Sequence, residues 1–322
     1  MGFKRISKIV LTFVFLSLPI VGFTQRMALF DWWRLQNYTA PEIVDKLATD
    51  TTMVDSMRRL FYVYRPSVED KTTFNQSCRE NEQTIVLGCY VEGRGIHLLD
   101  ITDSRLNGVE EVTAAHEALH AAYGRLSTSE RRNVDAMTLA AFAAVTNQRI
   151  KDTVEQYRKQ DAGIVPNELH SILGTEVRTL PAELDAYYAR YFTDRSKVVG
   201  FSEQYEQAFT DRKNQIIAFD AQLASIKEQI AALQNTLASS AASLERERIQ
   251  LDKDRSSGNI AAYNEGVAPY NRHVALYNQQ IDQLTAFVDQ YNDIVLKRNA
   301  IASEEQELTK SIDSRETVPG KQ

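Results

Sequence analysis

Two heptad seams fill the last third of the chain and constrain its architecture more than any other feature. Leu223, Ile226, Ile230, Leu233, Leu237, Leu244 and Leu251 recur at three- and four-residue steps, with Ser240 and Glu247 at the weak steps. Tyr270, Val274, Tyr277, Ile281, Leu284, Val288, Tyr291 and Val295 repeat the pattern. That spacing lines apolar side chains along one stripe of a helix, and two such stripes bury each other as a coiled coil. Ser256-Ser257-Gly258-Asn259 lies between the seams and supplies a turn. The expected product is an antiparallel hairpin with arms of about 45 residues, a rod of roughly 65–70 Å.

The remaining composition is that of a folded chain. Hydrophobic residues make up 43% and charged residues 25% of 322 residues, which excludes both full disorder and a polytopic membrane protein. Gly (13) and Pro (7) are scarce, which favours long helices. The net charge is −6 and no basic cluster stands out, so nucleic acid is excluded as a partner.

The N-terminus sets the expected compartment. Lys4, Arg5 and Lys8 precede an apolar run from Ile9 to Phe23, of about 15 residues, in the manner of an export signal. No Ala-x-Ala cleavage site follows, and the Trp32–Trp33 pair resembles an interfacial belt. Residues 1–30 therefore read as an uncleaved signal-anchor in the cell membrane. The N-terminus would be cytoplasmic and the rest extracytoplasmic; cleavage would instead give a secreted protein. Outside the cytoplasm, the two cysteines, Cys78 and Cys89, are expected to form a disulfide. Closing a loop of about 12 residues is worth roughly 3 kcal/mol in the chain-entropy treatment.

Between anchor and rod, residues 31–200 read as one α+β, mostly α, domain. Short helices occupy 31–76, the first opened by Pro41 and the second running from about Met53 to Phe61. The apolar, β-branched run Thr84–Val91, the turn Glu92–Gly95 and the run Ile96–Ile101 predict a β-hairpin. A helix follows, with Asn107 and Glu110 spaced as a capping box, Val109, Val112, His116, Leu119 and Tyr123 on one face, and Gly124 as its stop. A second capping box, Ser127 and Glu130, opens a long helix expected to run to Gln160. Pro166 starts a third helix and Pro181 a fourth, with Leu184, Tyr187, Tyr188 and Tyr191 on its buried side. The helical hairpin then spans 201–315, and 316–322 is expected to be a disordered tail.

His116-Glu117-Ala118-Leu119-His120 carries the chemistry. Residues at i and i+4 share a helix face, so the two imidazoles can bind one Zn²⁺ while Glu117 lies beside them as general base. The motif resembles that of the zincin metallopeptidases, whose HExxH helix packs under a small sheet, over roughly residues 84–190. The metzincin continuation is absent, because Tyr123 and Leu126 stand where it needs Gly and His. The resemblance is therefore to the gluzincin type, which takes its third ligand from a Glu on a later helix. Glu168, in Asn167-Glu168-Leu169-His170, matches that pattern best, with Glu176 and then Glu183 as alternatives.

His170 is expected to leave the opposite side of the turn from Glu168 and not to bind metal. Tyr123, His170, Tyr187 and Tyr188 are candidate donors to the oxyanion. His97 is expected on a strand face and His273 on the rod surface. The resemblance further implies that the strand Gly95–Ile101 is an edge strand that aligns an extended peptide.

These features predict a membrane-anchored, outward-facing zinc metalloendopeptidase acting on a peptide or protein substrate. The rod would serve a coiled-coil partner or a second copy of the chain. The rival is an envelope scaffold or adaptor whose zincin-like domain is inactive or structural. Glu117 weighs against the rival, since a structural zinc site has no use for that carboxylate.

Overall fold

The protein is described here from a computed structural model covering residues 26–78 and 86–315. The anchor run Ile9–Phe23, the strand residues Thr84 and Ile85, and the tail 316–322 lie outside the described residues. Most of the chain is helical, around one small sheet. Its described residues divide into two compact units, one of residues up to 208 together with those from 308 onward, the other of residues 209–307.

The first unit opens with α1 (Arg26–Leu35), α2 (Glu42–Asp50) and α3 (Asp55–Val63). Then come β1 (Ser67–Glu69), α4 (Lys71–Ser77), β2 (Gly88–Val91) and β3 (Gly95–Leu99). The sheet order is β1-β3-β2, with β1 parallel and β2 antiparallel to β3. The predicted hairpin is therefore present, and β1 joins it from a three-residue segment too short for alternation to reveal. Cys78 and Cys89 form the disulfide, with Cα atoms 6.0 Å apart, tying the end of α4 to β2.

Five helices complete the unit's framework: α5 (Val109–Gly124), α6 (Thr128–Phe142), α7 (Gln148–Gln160), α8 (Val165–Glu176) and α9 (Ala182–Tyr188). The Ser127–Glu130 capping box forms with both of its hydrogen bonds. The Asn107–Glu110 box does not. Gly108 is the N-cap of α5, at a left-handed φ of 98°, and Glu110 instead accepts the backbone N–H of Ile101. Position 108 requires glycine twice over, since a Cβ there would also sit 2.8 Å from the Phe201 carbonyl oxygen. The single helix expected from Ser127 to Gln160 is two helices. The chain leaves the helix after Phe142, and the Asn147 side chain caps α7 by accepting from the N–H groups of Arg149 and Ile150.

The core of this unit is continuous. Leu47, Met57 and Phe61 pack with Ile96 and Leu98 of the sheet, with Leu119, Leu173 and Tyr188 of the helices, and with Phe192 of the segment after α9. α5 lies at its centre. Ala114, Ala115, Ala118, Ala121 and Ala122 are all buried, and their small side chains let the sheet and α8 approach the α5 backbone closely.

The second unit is built from two long helices, α10 (Arg195–Ser256) and α11 (Ile260–Ile312), whose terminal turns belong to the first. Gly258, at φ 77°, turns the chain between them. Within 209–307 they run antiparallel: Arg212 pairs with Glu304, Asp220 with Arg298, Ser240 with Gln280 and Glu247 with His273. His273 is thus half-buried, pairing across the arms with Glu247. The α10 seam is as expected, with Leu223, Ile226, Ile230, Leu233, Leu237, Leu244 and Leu251 buried or half-buried.

The α11 seam is as expected at Tyr270, Val274, Tyr277, Leu284, Tyr291 and Val295, and shifts by one residue at the steps expected to hold Ile281 and Val288. Tyr277, Leu284 and Tyr291 face the partner arm, but so do Gln280, Phe287 and Ile294, whereas Ile281 and Val288 are each 40% exposed. Both stripes satisfy a heptad. The Ser240 hydroxyl donates to the Gln280 side-chain oxygen at 3.3 Å, a polar match that suits one register only.

Candidate metal centre

The site is assembled from α5 and α8, two helices that pack closely for a local reason. A Cβ on Gly174 would lie 2.5 Å from Leu119 Cδ1 and 2.8 Å from Tyr188 Cε1, so only glycine lets α8 sit this near α5 and α9. Pro166 lies in the first turn of α8, and Glu168 follows in that same turn. His116 and His120 are one turn apart on α5, with ring centroids 4.7 Å apart.

The structure brings His116, His120 and Glu168 together. Glu168 Oε2 is 3.7 Å from His116 Nε2, and Oε1 is 3.6 Å from His120 Nε2. The three potential ligand atoms lie within 4.8 Å of one another, the one such group of three or more among the described residues. Bonds of about 2.0–2.2 Å from zinc to nitrogen and oxygen would hold tetrahedral ligand atoms roughly 3.3–3.6 Å apart, so the cluster needs to contract only slightly.

Two further observations fit a cation here. Glu168 Oε2 is buried with no hydrogen-bond partner, an arrangement costly for a carboxylate unless a positive group satisfies it. Burial pushes the Glu168 carboxyl up, but the adjoining imidazoles of His116 and His120 outweigh it, and the group is held below the ordinary carboxylate range.

Glu117 is buried on the side of α5 that meets β2. A Cβ at Gly88 would stand 2.6 Å from Thr113 Cγ2, 2.9 Å from Glu117 Cγ and 3.1 Å from Glu117 Oε1. Gly88 thus gives the Glu117 side chain its room. The reading from sequence missed this role; a glycine inside a strand pattern is the signal for a close backbone approach.

The other candidates lie elsewhere. Glu176 is ion-paired with Arg149, which also holds Glu206, and Glu183 is exposed. Neither joins the cluster. His170 is fully buried among Tyr123, Tyr187, Tyr188 and Tyr191, with its Nε2 3.0 Å from the Tyr187 hydroxyl. Burial, reinforced by the charges of His120 and His116, holds its pKa at about 3, so the ring is neutral.

The expected oxyanion donors have internal partners. The Tyr123 hydroxyl donates to Asp135, Tyr188 donates to the His170 carbonyl, and Tyr187 is bonded to His170 and Tyr191. His97 sits on β3 with Nδ1 2.7 Å from Glu69 Oε1 and 3.2 Å from Ser67 Oγ.

The edge-strand expectation is corrected. β3, within the segment Gly95–Ile101, is the central strand, paired on both sides and unable to accept a further strand. Among the described residues, the edge strand beside α5 is β2, which pairs with β3 on one side only. No protein-family model, curated protein or solved structure shows a match to this chain.

Proposed function

We propose that the chain is a zinc-dependent metallopeptidase of the gluzincin type, anchored in a membrane by residues 1–30 and facing outward. One observation carries the reading: a buried Glu168 carboxylate with one oxygen towards each imidazole of an HExxH helix, its Oε2 beside His116 having no hydrogen-bond partner. His116, His120 and Glu168 would hold the ion. When bound, zinc supplies Lewis-acid activation of a water and of the scissile carbonyl.

The protein's own part is proton transfer and positioning. Glu117, one residue along the helix from His116, takes a proton from the attacking water and returns it to the leaving amine. Its carboxylate is confined by β2 at Gly88, which limits the rotamers it can adopt. The edge of β2 that pairs with no other described strand is suited to align an extended peptide by main-chain hydrogen bonds, so the substrate is a peptide or an unfolded segment of a protein.

The two long helices are read as an antiparallel coiled-coil hairpin, supported by their buried seams and cross-arm ion pairs. That arm also suits an adaptor, so a scaffold with a structural metal site is the competing reading.

Glu117→Gln separates the two. The variant should keep its fold and its zinc while peptide hydrolysis falls by about two orders of magnitude or more. Wild type that cleaves nothing beyond what the glutamine variant cleaves, in a denatured-protein digest with a chelator control, would favour the scaffold.

A further inference from the structure

The helix α1 packs Phe30 and Leu35 against the core yet carries a second apolar face turned away from it. Asp31 and Arg34 also face the protein: the Arg125 guanidinium donates to Asp31 at 2.7 Å, and Arg34 donates to the carbonyls of Val63 and Arg94 at 2.9 and 3.0 Å. Arg65 in turn donates twice to the Arg34 carbonyl. These bonds hold the helix against α3 and the β2–β3 turn. Its apolar residues at i, i+3 and i+4, Leu29, Trp32 and Trp33, face away and are 54%, 57% and 61% exposed. A water-facing helix would place these residues inside and its charges outside, because burying two indoles is worth several kcal/mol.

Two more features say what covers this face. Arg34, Arg65 and Arg94 gather at the C-terminal end of α1, and among the described residues no carboxylate lies within ion-pair distance of any of them. Upstream, the apolar run Ile9–Phe23 ends three residues before α1 begins. Indoles favour the headgroup level of a bilayer, and arginines beside them favour anionic lipid.

We infer that Leu29, Trp32 and Trp33 insert into the interface of an anionic bilayer while Arg65 and Arg94 contact its headgroups. The catalytic unit is then clamped to the membrane surface instead of swinging on a tether. This deepens the anchor reading and makes no use of the metal site.

The chain contains only two tryptophans, both on this face, so its tryptophan emission, excited selectively over that of the tyrosines, reports on nothing else. The test uses the full chain reconstituted in vesicles of phosphatidylcholine with phosphatidylglycerol. Emission should shift to the blue, lipids brominated near the glycerol level should quench it, and aqueous iodide should quench it only weakly. Leu29→Asp should restore iodide access, and Arg65→Gln with Arg94→Gln should weaken the lipid quenching.

A chain that floats with the vesicles but is quenched by iodide as readily as a free tryptophan amide overturns the clamp and leaves the anchor standing. A chain that does not float overturns both. Indoles shielded from iodide yet untouched by brominated lipid would place a protein on this face and overturn the bilayer assignment.

Discussion

Gly88→Ala tests the packing that confines Glu117. The new methyl would sit 2.6 Å from Thr113 Cγ2 and 2.9 Å from Glu117 Cγ, both far inside van der Waals contact. Neither neighbour can withdraw freely, because Thr113 and Glu117 are buried on a helix packed in the core. Overpacking of this kind costs roughly 1–3 kcal/mol. Replacing glycine restricts the unfolded chain and returns about 0.4–1 kcal/mol. The net loss is therefore roughly 1–2 kcal/mol, or about 2–8 °C in melting temperature for a unit of some 200 residues.

The assay is thermal unfolding followed by circular dichroism, for the single variant and for Gly88→Ala combined with Thr113→Ser. Serine removes the nearest clashing atom and keeps the hydroxyl that donates to the Val109 carbonyl at 2.6 Å. The double variant should recover at least about 0.5 kcal/mol relative to additivity. If Gly88→Ala melts with wild type, or if Thr113→Ser gives no recovery, then β2 and α5 do not meet as described and the confinement of Glu117 fails with them.

Metal content discriminates among the carboxylates: Glu168→Gln should lose bound zinc, as should His116→Ala and His120→Ala, whereas Glu176→Gln should retain it, read by elemental analysis after dialysis. Asp103 predicts an acid signature. Its carboxyl is lowered from 3.8 to about 2, chiefly by the Arg105 side chain and also by the Arg105 N–H. A lowered carboxylate pKa adds stability above the unfolded value, and that contribution is lost as pH falls through about 2. Asp103→Asn should therefore be less stable than wild type at pH 6, with the gap closing towards pH 2 in denaturant titrations. Truncation after Gly200 should destabilise the first unit, because it removes Phe201 from beside Gly108 and the buried Leu308 and Ile312. A truncated chain that melts like wild type would show that these turns add nothing to the core.

Much of this protein is written locally in its chain. The HExxH residues, the glycine-turned β-hairpin, the Ser127–Glu130 cap and the α10 seam all depend on residues within a few turns of one another. For such features spacing alone fixes which side chains share a face. The disulfide was legible because the chain offers only one pairing. Local pattern misled where two local solutions competed. Asn107 had the right spacing for a cap, but Gly108 had to lie against Phe201, some ninety residues away, and its backbone conformation set the helix start.

Sequence by itself determined that this chain has an HExxH helix, a short antiparallel hairpin and two long heptad helices, because each follows from periodicity within one segment. Tertiary structure alone decided the rest. It set Glu168, not Glu176 or Glu183, against the imidazoles, since only the approach of α8 to α5 across Gly174 distinguishes three similarly spaced carboxylates. It made β3 central by adding β1 from a distant segment, and it chose Phe287 and Ile294 over Ile281 and Val288 at the helix interface. In each case the deciding partner lies far along the chain, and a one-dimensional pattern carries no record of which of its equivalent faces that partner will cover.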